Sequence, residues 1–208
     1  MTTTPPVSSK PAGVRNCAAR EVTLRNGTAV VIRSAVPDDA EALLELTRAV
    51  IDEGEFVVTT PQEFHLTVED EREWIGTHSE HPGRLAIVLE AAGQVVGCLH
   101  FQNSHRHRLA HRGRLHMIID KDWRNLGVGT LLLQEALAWA RRNPGIEKVG
   151  LAVFSNNHRA IHLYEKCGFQ VEGRRVREIQ LDDGRYVDEV LMYCLVGSDD
   201  QPEAGAAG

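Results

Sequence analysis

The residue types best suited to chemistry lie between Ile119 and Thr130, where a predicted strand leads through two glycines into a predicted helix. A helix N-terminus presents unpaired N–H groups and a partial positive charge, and both favour phosphate. Gly127 and Gly129 would let the backbone approach a pyrophosphate closely, and Arg124 would add charge. The same glycines are equally typical of an ordinary helix start. The segment therefore predicts either a phosphate-binding loop or a plain strand-to-helix turn.

Two familiar phosphate motifs do not fit this segment. A Walker A loop needs Lys and then Ser or Thr after its last glycine, whereas Gly129 is followed by Thr130 and Leu131. A dinucleotide-binding G-x-G-x-x-G motif needs a third glycine, where this chain has Leu132. Neither kind of site is predicted.

Three blocks of sequence, in order along the chain, resemble the GCN5-related N-acetyltransferase (GNAT) family. Arg124-x-x-Gly127-x-Gly129 has the R/Q-x-x-G-x-G/A form of that family's acyl-CoA pyrophosphate loop. Residues 157–169 resemble its N-x-x-A-x-x-L-Y-x-x-x-G-F signature, and residues 172–192 look like the branch that acetylates amino acids, polyamines and related small amines. The resemblance implies an α+β fold with a central mixed, mostly antiparallel twisted sheet, flanked by about four helices.

The resemblance also implies acetyl-CoA as the acyl donor, with no metal. Backbone groups of Met117, Ile118 and Ile119 would pair with the pantetheine arm, and the amide of Ile119 or a neighbour would polarise the thioester. Tyr164 would be the general acid that protonates the departing thiolate. The other implied cofactor-binding residues are Arg124, Asn125, Leu126, Gly127, Val128, Gly129 and Thr130 at the pyrophosphate, and Asn157 at the pantetheine or the cofactor tail.

An amine substrate arrives as an ammonium and must lose a proton before it attacks a thioester, so the reaction needs a base. Histidine suits this role because its pKa is about 6.5. His111 is preferred because that position is often histidine in the apparent branch, and His116 on the following strand and ordered water are the alternatives. A purely structural role for His111 also stays open, since the chain has 10 histidines.

Two charged segments flank the predicted site. Glu53, Glu55 and Phe56 fall where the family walls its acceptor pocket, so the carboxylates would bind a cationic amine or, equally, form a solvated helix end. Residues 105–114 carry three histidines and four arginines, which predict a basic loop that is either solvated or recognises a substrate carboxylate. A metal site is disfavoured there because the arginines would repel a cation. RNA is disfavoured because no aromatic platform is present.

Cys167 follows Tyr164 by three residues and raises the possibility of an acyl-cysteine intermediate. No histidine is paired with it in the pattern, and the family transfers the acetyl group directly, so Cys167 is interpreted as a small apolar residue.

These residues must be positioned by alternating strands and helices. Asn26-Gly27 predicts a hairpin turn, Pro37-Asp38-Asp39 predicts a helix start, and Ala92-Gly93 and Asp183-Gly184 predict two further turns. Apolar periodicity predicts strands over residues 22–24, 29–32, 85–89, 95–101, 115–119, 148–154, 176–181 and 187–195, and helices after Pro37 and over residues 68–78, 128–141 and 156–166.

Composition restricts the class of protein. The chain has 208 residues, of which 42% are hydrophobic and 25% charged, as in one soluble domain. No apolar run near ~18 residues predicts a membrane span, and no signal-peptide pattern is present, so a cytoplasmic protein is expected. The 23 Lys and Arg against 29 Asp and Glu argue against a nucleic-acid partner. Residues 1–19 and 197–208 are predicted to be flexible and residues 20–196 to form the folded domain.

The predicted function is therefore acetyl-CoA-dependent N-acetylation of a small primary amine, by direct attack in a ternary complex. The alternatives are acetylation of a protein N-terminus or ribosomal protein, and an acyl-CoA-binding regulatory module without turnover. Such an enzyme would act on a small molecule, without nucleic acid or membrane, and a homodimer is compatible with its C-terminal strands.

Overall fold

A computed structural model describes residues 17–197, in which eight strands form one sheet against four α-helices. The sheet order is β1-β2-β3-β4-β5-β6-β8-β7, and every neighbouring pair is antiparallel except β5 with β6. This mixed sheet confirms the predicted α+β class. The elements are β1 (Arg20–Thr23), β2 (Ala29–Ser34), α1 (Ala40–Glu53), α2 (Val68–Glu80), β3 (Arg84–Ala91), β4 (Gln94–Asn103), β5 (Arg112–Ile119), α3 (Val128–Arg142), β6 (Lys148–Phe154), α4 (His158–Lys166), β7 (Gln170–Gln180) and β8 (Tyr186–Leu195).

Local sequence explains most of the element ends. Gly27 takes φ +85° in the β1–β2 turn, and Ala92 and Gly93 take φ +49° and +80° between β3 and β4. Thr67 caps α2 in a capping box with Asp70. The predicted start of β7 was wrong: the strand begins at residue 170, six residues before the predicted 176, because its polar stretch is held by pairing with β8 across two bulges.

The helices cover opposite faces of the sheet. On one face Leu132 and Trp139 of α3 pack with Leu99 of β4 in the larger core cluster. On the other face Ile75 of α2 packs with Val88 of β3 in a smaller cluster. Successive residues of a strand point to opposite faces, so β3 and β4 contribute to both clusters.

The sheet parts between β5 and β6. These parallel strands pair only at Arg112–Lys148, Gly113–Val149 and Arg114–Gly150. Beyond that point β5 stays paired with β4 as far as Ile119, while β6 stays paired with β8. The edge of β5 from residue 115 to 119 therefore faces a cleft with no strand against it in the described part of the chain.

Most of both predicted flexible ends, residues 1–16 and 198–208, lies outside the described residues, so the domain limits stay predictions. Cys17 is buried, and its N–H donates to Ser34 Oγ at 2.8 Å. Within residues 17–197, no helix combines the length and apolar content that a bilayer crossing requires.

Candidate active site

A cavity of about 920 Å³ fills the cleft between the parted ends of β5 and β6. That volume suits a sizeable small-molecule ligand. His111 and Val128 are the two predicted site residues that do not line it. Those that do are Glu53, Glu55, Phe56, Met117, Ile118, Ile119, Arg124, Asn125, Leu126, Gly127, Gly129, Thr130, Asn157 and Tyr164, together with the alternative base His116.

The glycine loop delivers a helix N-terminus to this cavity. Gly127 takes φ +97° and ends the loop, and α3 begins at Val128. The N–H groups of Val128, Gly129 and Thr130 precede the first intrahelical bond, from Leu131 N–H to Gly127 O at 3.1 Å. The Val128 side chain is buried in the core, so only its backbone is available to a ligand. These donors are the groups on which a pyrophosphate would be held.

Gly129 has a second reason to be glycine. A Cβ placed there would lie 2.7 Å from Leu163 Cδ2 and 3.1 Å from Ile119 Cδ1. The first turn of α3 therefore packs directly against Leu163 of α4 and Ile119 of β5, and a larger residue would displace the ends of those side chains. Glycine at this position thus lets α3 pack closely on α4 and β5, in addition to the close approach to a ligand that the sequence predicted.

Arg124 and Glu53 are paired with each other. The Arg124 guanidinium donates to both Glu53 carboxylate oxygens, at 2.5 and 2.8 Å, and its Nε donates to Ile119 O at 3.1 Å. Both side chains are largely buried, with 17% and 22% of their surface exposed. The structure thus joins the residue predicted for the pyrophosphate to one predicted for the amine, and each neutralises the other.

Basic residues of α4 that sequence reasoning missed also line the cavity. Arg159 and Lys166 are seven positions apart, so they share one face of the helix. Neither forms an ion pair within residues 17–197. Their charge is available to an anionic ligand while that of Arg124 is neutralised. The helical spacing of these cations was the signal that could have found them.

Tyr164 is buried at the inner wall of the cavity. Burial is the main cause that raises its pKa to about 12, so its hydroxyl keeps its proton at neutral pH. The ring packs edge-on against Phe169, with centroids 5.8 Å apart. Its hydroxyl has no hydrogen-bond partner among the described residues, which leaves it free to act on a ligand.

Asn157 caps helix α4. Its Oδ1 accepts from the Ala160 N–H at 3.1 Å, as an N-cap residue does. Its side-chain NH2 remains available to a ligand in the cavity. The residue therefore contributes to the helix and to the predicted cofactor site through different atoms.

His111 is not brought to the cavity. It is exposed at the closed end of the cleft, where its carbonyl accepts from the N–H groups of Glu147 and Lys148 at 2.7 and 3.2 Å. It precedes Met117 by six residues, which is about 20 Å of extended strand. A base must reach the reacting amine within hydrogen-bond distance, so this placement argues against His111 in that role.

His116 does line the cavity. Its ring stacks on His100 with centroids 4.9 Å apart, and His100 in turn meets Trp74 at 5.0 Å. Surrounding protein and the Arg114 guanidinium lower the pKa of His116, and burial lowers that of His100 to about 3. Both rings are neutral at neutral pH, and a neutral imidazole can accept a proton.

Phe56 and Glu55, which were predicted for the acceptor together with Glu53, also line the cavity. Phe56 packs edge-on to Phe154 of β6, with centroids 6.4 Å apart, and Glu55 beside it is exposed. Glu189 of β8, which the sequence did not single out, also lines the cavity and forms an ion pair with Arg175 at 2.5 Å. Only strand pairing across the sheet brings Glu189 there.

Cys167 is set apart from this chemistry. Burial raises the pKa of its thiol, which disfavours the nucleophilic thiolate, and the side chain does not line the cavity. Among residues 17–197 no group of three or more His, Cys, Asp or Glu side chains is arranged to hold a metal ion.

Known proteins are similar to this chain in sequence and in fold. Residues 49–169 match the Acetyltransferase (GNAT) family. The L-amino acid N-acetyltransferase AaaT of Escherichia coli is 30% identical over 163 residues, or 78% of this chain and 96% of that protein. The spermidine N(1)-acetyltransferase of Vibrio cholerae is 32% identical over 113 residues, or 54% of this chain and 63% of that protein.

A solved structure agrees with the same assignment. The GNAT-family acetyltransferase of Streptococcus pneumoniae is similar with a TM-score of 0.77 and 30% identity, covering 80% of this chain and 99% of that one. The family match alone spans more than half of the 208 residues. With its parted sheet, its glycine loop at the start of α3 and a buried tyrosine on α4, the chain belongs to the GNAT family of acetyltransferases.

Proposed function

We propose that the protein transfers an acetyl group from acetyl-CoA to the primary amine of a small molecule, by direct attack in a ternary complex. One observation carries this proposal: the unpaired edge of β5, the N-terminus of α3 and Tyr164 all open into one cavity. Relatives named for L-amino acids and for spermidine support a small amine as the acceptor class.

The groups present fit acetyl-CoA. The free N–H groups at the start of α3 match a pyrophosphate, and Arg159 and Lys166 add positive charge nearby. The open edge of β5 offers backbone donors and acceptors to the amides of a pantetheine arm, as a neighbouring strand would. When bound, acetyl-CoA supplies the activated acyl group.

Each step of the transfer then has a candidate residue. His116, or a water beside it, takes the proton from the substrate ammonium, because the neutral imidazole faces the cavity. A backbone N–H near Ile119 stabilises the oxyanion that forms as nitrogen bonds to the thioester carbon. Tyr164 donates its proton to sulfur as the carbon–sulfur bond breaks, and the second proton that the new amide nitrogen loses restores the Tyr164 hydroxyl.

The direct test is acetyl-CoA-dependent thiol release over a panel of amino acids, amino acid amides, polyamines and short peptides. We expect release with one class of small amine and none without an acceptor. Release with peptides alone would replace the proposal by protein N-terminal acetylation. Tight acetyl-CoA binding without release on any acceptor would replace it by a non-catalytic acyl-CoA-binding module.

A cytoplasmic location and a homodimer accompany this proposal as predictions. Light scattering on the purified full chain measures the second directly. A mass of twice 23.1 kDa is the expected result, and a mass of 23.1 kDa would exclude the homodimer under those conditions.

A further inference from the structure

A second cavity, of about 620 Å³, adjoins the cleft on the face of β5 that carries His116. The two cavities share Arg114 and His116, so they meet at that part of the strand. On the same face, helices α1 and α2 pack over β3, β4 and Ile118 of β5, beyond His116. A molecule in the second cavity would therefore reach the predicted reaction site from the side of His116.

Positive charge dominates the second cavity. Arg112, Arg114, Lys148 and Arg175 line it, against Glu172 as the acidic residue. Lys148 is neutralised by Glu172, and Arg175 by Glu189, each at 2.5 Å. Arg112 and Arg114 form no ion pair with any residue from 17 to 197. Two guanidinium groups are thus left without counter-charge at the edge of the reaction site.

The arrangement of these cations disfavours the folded state. Arg112 and Arg114 alternate with Gly113, so they project from the same face of β5 about 7 Å apart. Lys148 lies directly opposite Arg112 in the register with β6. Glu172 offsets the charge of Lys148, but Arg112 and Arg114 repel each other with no counter-charge, so packing gives no reason for this cluster. An anionic ligand does, because a guanidinium binds a carboxylate through two parallel hydrogen bonds.

We propose that Arg114 binds a carboxylate of the acceptor, with Arg112 strengthening the local positive potential. The acceptor class is then an amine that carries a carboxylate, such as an amino acid, and a polyamine is excluded by charge repulsion. Arg114 and His116 are two residues apart on one face of β5, about 7 Å between Cα atoms. That spacing lets one small molecule place its amine at His116 and its carboxylate at Arg114.

This inference rests on the proposed function, and its test compares matched acceptors. Thiol release is first measured for the 20 standard amino acids (a probe set chosen by chemistry), for their carboxamides and for spermidine. For the best pair, kcat/KM is then compared between the acid and its carboxamide in the wild type and in Arg114→Gln, Arg114→Lys and Arg108→Gln. Arg108 is the matched control, since it is exposed on the same basic segment and lines neither cavity.

We expect the wild type to prefer the acid, and Arg114→Gln to lower kcat/KM for the acid roughly 30-fold, chiefly through KM. For the carboxamide, kcat/KM should change less than about threefold in the same variant, and Arg108→Gln should match the wild type. Arg114→Lys should recover part of the loss on the acid, because lysine restores the charge without the two parallel hydrogen bonds of a guanidinium. Thermal unfolding of each variant shows whether it is folded.

Results that overturn the carboxylate site can be distinguished from those that overturn the proposed function. Equal loss on acid and carboxamide in a folded Arg114→Gln variant, or a wild-type preference for carboxamides or spermidine, would overturn the carboxylate site and leave the acetyltransferase proposal standing. Absence of thiol release with every acceptor in the wild type would instead overturn the proposed function, and this inference with it.

Discussion

Glu53, the last residue of α1, binds the Arg124 guanidinium through both carboxylate oxygens although 71 positions separate them in the chain. The pair joins the end of α1 to the glycine loop that leads into α3. Since Arg124 Nε also donates to the Ile119 carbonyl at 3.1 Å, one arginine connects the end of α1, the glycine loop and the end of β5.

Arg124 and Glu53 should affect acetyl-CoA affinity in opposite directions. Arg124→Gln leaves a carboxylate near the pyrophosphate and should weaken binding about tenfold, whereas Glu53→Gln frees a cation there and should hold or strengthen it. The double variant should lie between them. Isothermal titration of each variant with acetyl-CoA gives the dissociation constants, and Arg159→Gln measures the effect of an unpaired cation. Equal weakening by both single changes would show that the pair acts as a structural clamp.

Replacement of Gly129 by alanine should destabilise the folded protein. Alanine normally favours a helix over glycine by about 1 kcal/mol, but here its Cβ would meet Leu163 Cδ2 at 2.7 Å. We expect Gly129→Ala to lower the free energy of unfolding by about 1–3 kcal/mol in urea titration. Gly129→Ala combined with Leu163→Ala should relieve that contact, and the loss should be smaller than the sum of the two single changes. A stabilised Gly129→Ala would contradict the packing.

Tyr164→Phe should lower the turnover number without weakening the binding of acetyl-CoA. The hydroxyl has no partner in the described structure and the ring keeps its contact with Phe169, so stability and acetyl-CoA affinity should change little. The turnover number should fall about 100-fold or more if the hydroxyl protonates the thiolate. Because its pKa is raised to about 12, the wild-type rate should show no loss from Tyr164 ionisation below about pH 10. Unchanged turnover in the variant would remove Tyr164 from the mechanism.

His100 should make stability fall in acid. Its pKa is about 3 in the folded chain because it is buried, against about 6.5 when unfolded, so below pH 6.5 the unfolded state binds more protons. Its contribution is complete above that pH and declines by about 1.4 kcal/mol for each unit toward pH 3. His100→Phe keeps an aromatic ring at the stack and should flatten the dependence, while exposed His107→Gln should not. Urea unfolding between pH 7 and 4 measures the difference, and equal slopes would contradict it.

The sequence predicted the elements better than the contacts between them. Apolar periodicity located all eight strands and all four helices found in residues 17–197, since each signal is local. The start of β7 failed because the polar residues there are held by β8, a partner that periodicity does not reveal. Tertiary pairing overrode local preference at that strand.

The site shows the same division. Residues within one motif, such as Gly127 and Gly129 or Asn157 and Tyr164, reach the cavity together because a single turn or helix carries each pair. The ion pair between Glu53 and Arg124 and the position of Glu189 at the cavity depend on how elements that are distant in sequence pack together. His111 was preferred because its position is often histidine in the branch that the sequence resembles, but it does not line the cavity, since six residues of extended strand separate it from Met117.

The three pairs that join β5 to β6 have a consequence for acyl selectivity. Gly113 lies at their centre, and a Cβ there would clash with the Phe101 ring and the Gln102 carbonyl, so only glycine fits at the junction. Beyond Arg114 and Gly150 the strands β5 and β6 are not paired within residues 17–197. The width of the gap between them is therefore set by the side chains on its two sides. If acetyl-CoA lies along β5 as proposed, substitution of Phe154 or Ile118, which both line the cavity, would change the room for an acyl chain without breaking a strand pair. Donor preference can diversify by such changes while the rest of the fold stays constant.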